Sequence, residues 1–323
     1  MKAKCFIFVV LSALALVAFA PSSPQAAGYP DHPIQLVITN VAGAMVDVTG
    51  RMLGEEMGQI LGQKIIPNNK PGAGTVLGTD FVLRSKKDGY TLLYGSSSGF
   101  VYAPATNPEV VKYDPLKDGE PLGLHYFSPM TIAVRADAPW KTFSDLVDYA
   151  KKNPGKVRVS TMGVGSVPHF VLELVQSITG VQFTHVPFEG GESIITAVLG
   201  GHVEATCDTL PKVKPHADSG KMRILLITNK MPGFPTVPTI TELGYKQTLP
   251  GAWFSMYAPS GIPEDVRRVL VPAVEKAVKA TKPKIDALGN LCEYRPPQEV
   301  RKMVEQEYKT ARDIAIKIGL RKP

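Results

Sequence analysis

Cysteine is scarce, basic residues do not cluster, and no long apolar stretch follows the N-terminal region. The 323 residues hold three cysteines. Cys5 lies in a segment expected to be cleaved, which leaves Cys207 and Cys292, far apart in sequence and without a scaffold of further cysteines. A disulfide-stapled small domain is excluded, and both residues read as buried thiols. Lys and Arg total 36 against 29 Asp and Glu, for a formal charge of +7. No five basic residues run together, so no dedicated nucleic-acid surface is expected. The six histidines, His32, His125, His169, His185, His202 and His216, lack metal-ligand spacing, and no phosphate-binding P-loop is present. No cofactor is expected. Past residue 27 no run of 18 apolar residues occurs, so the mature chain is expected to be soluble.

The N-terminus has the form of an export signal. Lys2 and Lys4 precede an apolar run from Cys5 to Ala20 broken only by Ser12, and Pro21 and Pro24 end it. Cleavage after Ala20 or near Ala27 is compatible with the pattern, so residues 1–27 are assigned to the signal. The mature charge is then 7 minus 2, or +5. This mild excess suits attraction of small anions.

The remainder is long enough for two domains and for a core that does its own stabilising. Short β-branched runs alternate with helical periodicity. Strands are predicted at 34–39, 64–66 and 90–94, with helices at 46–61 and 75–85 between them. A second set has strands at 130–134, 157–160, 183–186, 204–207 and 224–228, with helices at 143–153, 167–179 and 193–199. A strand at 253–258 and helices at 263–279 and 297–318 complete the chain. The order implies α/β architecture: two domains, each a mostly parallel sheet flanked by helices. On the first helix Gly50, Gly54, Gly58 and Gly62 recur every four residues. Each interior glycine costs about 1 kcal/mol relative to alanine, so the row implies close approach of a neighbour.

Two segments share a strand, glycine turn and helix N-terminus: Val41-Ala42-Gly43-Ala44-Met45 and Gly163-Val164-Gly165-Ser166. Unpaired N–H groups and the positive helix end make each able to hold a carboxylate or phosphate. Ser166 is a good cap for the second helix, and His169 sits in its first turn. Asp47 in the first helix either contacts the ligand region or orders the turn before it. Asp208, just after a strand, either receives an amino or hydroxyl group or ties down a loop. Gly95-Ser96-Ser97-Ser98-Gly99 matches the form of a hydrolase elbow with Ser97 as nucleophile, but Pro104, Asn107 and Pro108 are expected to prevent the helix that an elbow needs. Its hydroxyls serve better as donors to a ligand. Gly72-Ala73-Gly74-Thr75-Val76-Leu77-Gly78 resembles a dinucleotide turn with one residue too many, and no acidic residue in a clear strand context follows at about 20 positions.

These residues, in this order, resemble the Bug/TctC receptors, the extracytoplasmic solute-binding proteins of tripartite tricarboxylate transporters. The resemblance runs through Asn69-Lys70-Pro71-Gly72-Ala73-Gly74, Asp88-Gly89-Tyr90-Thr91-Leu92, Tyr113-Asp114-Pro115, Asn153-Pro154-Gly155-Lys156, Gly163 to Ser166 with His169, His185-Val186-Pro187-Phe188 and Ala258-Pro259-Ser260-Gly261. It implies a periplasmic Venus flytrap that closes on a small organic carboxylate, without catalysis, and delivers it to membrane transporter subunits. The domains implied are 28–127 with 252–323, and 128–251, in a monomer. Carried over, the pocket comprises Val41, Ala42, Gly43, Ala44, Met45 and Asp47 of the first turn and Gly163, Val164, Gly165, Ser166 and His169 of the second. Ser96, Ser97, Ser98, Phe188 and Asp208 complete it. Phe188 stands where tyrosine is common, Cys207-Asp208-Thr209 replaces Phe-Asp-Asn, and the first turn has less glycine. These departures favour a dicarboxylate or aromatic carboxylate over citrate. A secreted serine hydrolase using Ser97 and a receptor feeding a signalling system are the alternatives.

Overall fold

The computed structural model describes residues 28–188 and 191–322. The segment read as an export signal lies outside them. The chain opens with β1 (Ile34–Ile38), α1 (Met45–Leu61), β2 (Ile65–Asn69), α2 (Val76–Leu83) and β3 (Thr91–Ser96). A helical stretch at Ser98–Tyr102 continues into α3 (Ala103–Thr106), and β4 (Gly119–Ser128) follows. The middle of the chain is β5 (Met130–Arg135), α4 (Phe143–Lys152), β6 (Arg158–Met162), α5 (Val167–Thr179), β7 (Thr184–Phe188), α6 (Gly191–Leu199), β8 (Ala205–Thr209), α7 (Leu210–Asp218) and β9 (Met222–Ile227). The chain then returns through β10 (Ala252–Pro259), α8 (Glu264–Ala287), β11 (Leu291–Cys292) and α9 (Pro297–Lys317).

The strands form two sheets, ordered β11-β4-β10-β3-β1-β2 and β7-β6-β8-β5-β9. The two-domain α/β class follows. Each sheet is mixed: β2, β1 and β3 are parallel, as are β7, β6 and β8, while β4, β10, β11, β5 and β9 pair antiparallel. The parallel part is the βαβ part legible in the sequence. The antiparallel strands lie next to the points where the chain passes between sheets, and direction there is set by tertiary return rather than by local pattern.

Local chemistry explains most elements. Helix α4 begins with a capping box in which Thr142 and Asp145 exchange hydrogen bonds, and it ends in Lys151 and Lys152. Helix α5 is capped by Ser166 and ended by Gly180 in the left-handed region. Gly50, Gly54 and Gly58 pack closely as expected, whereas Gly62 has no close neighbour and instead ends the helix in the left-handed region. A Cβ on Gly50 would meet the Tyr94 ring at 2.8 Å, one on Gly54 the Leu36 side chain at 3.1 Å, and one on Gly58 the Gln63 carbonyl at 3.1 Å. Helix α1 therefore lies directly on β1, β3 and the start of β2.

Three elements escape the sequence pattern. Strand β4 contains Pro121 and Gly123, and its pairing with β10 shifts register twice, so bulges admit residues that ordinarily break a strand. Helix α7 has Pro211 in its first turn and Pro215 inside. The prolines after Ser97 predict an interrupted helix, yet Ser98–Thr106 is helical throughout, Pro104 included. Cys207 and Cys292 are both free and buried.

Candidate functional site

A cleft of about 520 Å³ opens at the carboxyl ends of β1, β2, β3 and β6, where open α/β sheets bind ligands. The first lobe contributes Thr39, Asn40, Val41, the loop Pro71–Thr75, Ser98, Tyr102, Ala103, Thr106 and Asn107. The second contributes Met162, Val164, Gly165 and Ser166. The lobes meet at its edge, where a Cβ on Gly165 would lie 3.4 Å from the Thr106 side chain. Neither lysine, arginine nor histidine lines the cleft among the described residues. Negative charge entering it would have to be met by backbone amides, hydroxyls and the side-chain amides of Asn40 and Asn107.

The second turn is organised for that. Gly163 and Gly165 both adopt positive φ, at 71° and 77°. The Gly163 N–H donates back to Thr161 O at 3.1 Å, and the Ser166 hydroxyl donates to Gly163 O at 2.8 Å. The Gly165 N–H donates to His169 Nδ1 at 3.0 Å. Both glycine amides are thus turned inward. The Val164 and Ser166 amides, on the cleft lining, have no acceptor among the described residues.

The first turn is braced from behind. Asp47 is buried and accepts from the Gly43 amide at 2.9 Å, Arg51 Nε at 2.8 Å and Asn69 Nδ2 at 2.8 Å. Asn69 Nδ2 also donates to Asn40 O at 2.9 Å. Burial works to raise the Asp47 pKa, but these three donors outweigh it and hold the carboxyl down at about 2. With Ala44 as its cap, α1 has no side-chain oxygen on its first amides. Val41, 60% exposed, lies on the cleft wall facing solvent.

The structure brings together Val41, Ser98, Val164, Gly165 and Ser166 on one cleft. Ala42, Gly43, Ala44, Met45 and Asp47 form the turn and helix start beside it, and Gly163 and His169 support the opposite turn from within. Ser96 is buried at the end of β3. Phe188 ends β7 and packs against a separate core cluster, with its carbonyl 4.0 Å from where a Gly163 Cβ would be. Asp208 is buried and paired with Lys212 at 3.1 Å. Burial raises its pKa against the pull of that lysine, and it ties β8 to α7. Ser97 is completely buried and its Oγ accepts from the Trp253 amide at 3.4 Å. No histidine or carboxylate is hydrogen-bonded to it among the described residues, so the geometry of an activated nucleophile is missing there.

Two parts of the lining were not legible. The loop Pro71–Thr75 carries Ala73 and Thr75 at positive φ, 46° and 82°, conformations that non-glycine residues rarely adopt and that cluster at functional sites. The glycine-rich string gave the only signal of it. Tyr102, Ala103, Thr106 and Asn107 come from the unforeseen helical stretch. A second cavity, of about 510 Å³, lies away from both glycine turns, between α5, α9 and the 228–251 connection, and includes Glu307, Arg295 and Asn229. It does not touch the strand ends that define the first.

Comparison with known proteins shows the family. The family model described as tripartite tricarboxylate transporter family receptor matches residues 49–320. The chain is 35% identical over 285 residues to a Cupriavidus necator protein named for the gbd 5′ region, covering 85% of this chain and 83% of that one. It is 32% identical to Protein BugT of Bordetella pertussis, over 78% of each chain. Among solved structures, a TctC solute-binding protein from Polaromonas aligns with a TM-score of 0.80 and 28% identity, covering 90% of this chain and 99% of that one. MatC from Rhodopseudomonas palustris with bound malate aligns with a TM-score of 0.71 and 29% identity, covering 89% and 100%. A further R. palustris protein, with adipate, aligns at 0.73 and 25% identity, covering 89% and 98%. The chain belongs to the TctC family, the receptors of tripartite tricarboxylate transporters.

Proposed function

We propose that this protein is exported to the periplasm, captures a small organic carboxylate in the cleft between its lobes, and delivers it to the membrane subunits of a tripartite transporter, without catalysing a reaction. The lobes are residues 28–127 with 252–323, and 128–251, and they close as a monomer about the connections at 128–130 and 228–251. The observation that supports this reading is a single cleft lined from both sheets' strand ends, by Val41 of the first glycine turn and by Val164, Gly165 and Ser166 of the second, with no cationic side chain on its lining among the described residues.

Magnitudes explain why both lobes are needed. A charge-assisted hydrogen bond contributes roughly 1.5–3 kcal/mol, so the Val164 and Ser166 amides together supply about 3–6 kcal/mol. Micromolar binding needs about 8 kcal/mol before the costs of closure. The Val41 amide, the Ser98 hydroxyl and the Asn40 and Asn107 side chains of the opposite wall must supply the rest. Solved relatives carry malate and adipate, acids of a size suited to this volume.

The ligand carries an apolar body. Val41, Met162 and Val164 are 60%, 45% and 58% exposed and all line the cleft, so its walls present hydrocarbon from both lobes. This apolar character has a different origin from the substitutions at Phe188 and Cys207 noted in the sequence, because neither residue reaches the lining.

A thermal-shift screen of citrate against aliphatic and aromatic mono- and dicarboxylates tests the reading. An acid at 100 times its dissociation constant adds about 2.7 kcal/mol of stability. Stabilisation by adipate-like or aromatic acids and their recovery unchanged is the expected result. Stabilisation by citrate alone would refute the ligand preference, and stabilisation by no carboxylate would refute the function.

A further inference from the structure

The second turn is held by a pair of histidines whose arrangement goes beyond what an anion-binding turn requires. His169 and His185 stack face to face, with ring centroids 4.1 Å apart and planes 11° from parallel. A backbone N–H can only donate, so the 3.0 Å contact from Gly165 N fixes His169 Nδ1 as an acceptor and puts the ring proton on Nε2. That Nε2 faces Glu173 Oε1 at 3.7 Å, and the same oxygen accepts from Gln176 at 2.9 Å. On the other ring, His185 Nε2 meets Thr161 Oγ1 at 2.6 Å, and Thr161 is the residue whose carbonyl accepts the Gly163 amide. The two histidines therefore reach the two inward-turned amides of the turn, one directly and one through Thr161.

We propose that His169 and His185 are positioning residues for the binding cleft: the unprotonated Nδ1 of His169 holds the Gly165 amide inward, which leaves the Val164 and Ser166 amides facing the ligand, and His185 holds the His169 ring and Thr161 in register. The proposal rests on the functional reading above and adds to it that this turn binds carboxylate only while His169 is neutral. Protonation at Nδ1 would set two N–H donors against each other and release the turn. Burial, and after it the neighbouring His185, push the His169 pKa down to about 4, and burial lowers that of His185. The groups facing the pair among the described residues are Glu173 on the same helix, whose pKa burial raises, and beyond it Lys317 from α9. The latch is thus set throughout the neutral range and is lost in acid.

The test compares the wild-type protein with His169→Asn and His169→Phe. Asparagine can place Oδ1 where Nδ1 stands and cannot be protonated, whereas phenylalanine keeps the ring and loses the acceptor. Titration calorimetry with adipate and malate at pH 7.5 should find the Asn variant within about threefold of wild type and the Phe variant weakened at least about tenfold, the scale of one lost hydrogen bond. Both acids take up protons themselves in this range, so affinity should fall for both proteins as pH drops from roughly 5 to 4, and it should fall further for the wild type than for His169→Asn. Imidazole ¹⁵N NMR of the ligand-free wild type should show Nδ1 unprotonated and Nε2 protonated at pH 7. Unweakened binding by the Phe variant, an equal acid loss in the Asn variant, or a proton on Nδ1 would each overturn the proposal. If neither acid binds the wild type, the ligand reading is what fails, and the NMR tautomer still decides the role of His169. The same spectrum decides it if the Phe variant does not fold.

Discussion

Trp253 donates its indole N–H to the Glu307 carboxyl at 2.7 Å, joining the strand that re-enters the first sheet to the long C-terminal helix. The tryptophan is completely buried, and the carboxyl looks into the second cavity beside Asn229 and Arg295. Burial pushes the Glu307 pKa up from 4.5 to about 7, against the opposing pull of the Trp253 hydrogen bond and Arg295.

The sign of the consequence is fixed. A carboxyl whose folded pKa lies above its unfolded value favours folding while protonated, so its contribution is complete below about pH 4.5 and is lost as pH rises through about 7. Replacing Glu307 by Gln keeps an acceptor for Trp253 and removes the charge. Denaturation between pH 5 and 8 should show the wild type losing on the order of 2–3 kcal/mol relative to Glu307→Gln across that window. Parallel stability curves would count against a half-buried, charge-averse Glu307.

Asp47 should behave in the opposite sense. Its pKa of about 2 means that its stabilisation is present above about pH 4 and disappears as pH falls toward 2. Asp47→Asn loses the ion pair with Arg51 and part of the bracing of Gly43, at a cost of about 1–3 kcal/mol at pH 7. Carboxylate affinity should fall with it, although the side chain does not line the cleft, because the Gly43 turn loses its anchor. Calorimetric unfolding and ligand titration on the same sample check both effects.

Val164 offers a variant that separates binding from folding. It is more than half exposed and sits on the lobe-two wall of the cleft. Val164→Asp should change stability by no more than about 0.5 kcal/mol, as exposed substitutions usually do. Adipate affinity should nevertheless drop at least about tenfold, because like charge then faces the ligand where nothing neutralises it. Unchanged affinity would place the ligand elsewhere.

Ser97 provides the check on hydrolysis. Its hydroxyl is buried against the Trp253 amide, so Ser97→Ala should destabilise by about 1–2 kcal/mol through the unmet N–H. Ligand affinity should stay within about twofold. Ester turnover by the wild type that vanishes in this variant would instead support the nucleophile reading of the Gly95–Gly99 match.

Periodicity and caps made most helices legible, because the signals are local: Ser166 and Gly180 bound α5 at residues 167–179, and Gly62 ends α1. Strand β4 was hidden because Pro121 and Gly123 are tolerated only through bulges formed with β10, a partner more than a hundred residues away. Helix α7 was hidden by its prolines. At the site, the two glycine turns were legible since glycine marks backbone that a side chain would obstruct. Which of their amides have an acceptor inside the protein was not, because it depends on His169 and Asp47 reaching back to Gly165 and Gly43.

By itself the sequence determined the α/β class, the positions of the two glycine turns and the absence of a disulfide scaffold, all consequences of spacing and of what each residue's backbone allows. Tertiary structure decided which amides are already occupied, which apolar side chains wall the cleft, that Ser97 and Asp208 belong to the interior, and that Phe188 packs against a separate core cluster. Those outcomes rest on contacts between segments distant in the chain, and the direction in which a donor or a methyl group points is set only when those segments meet.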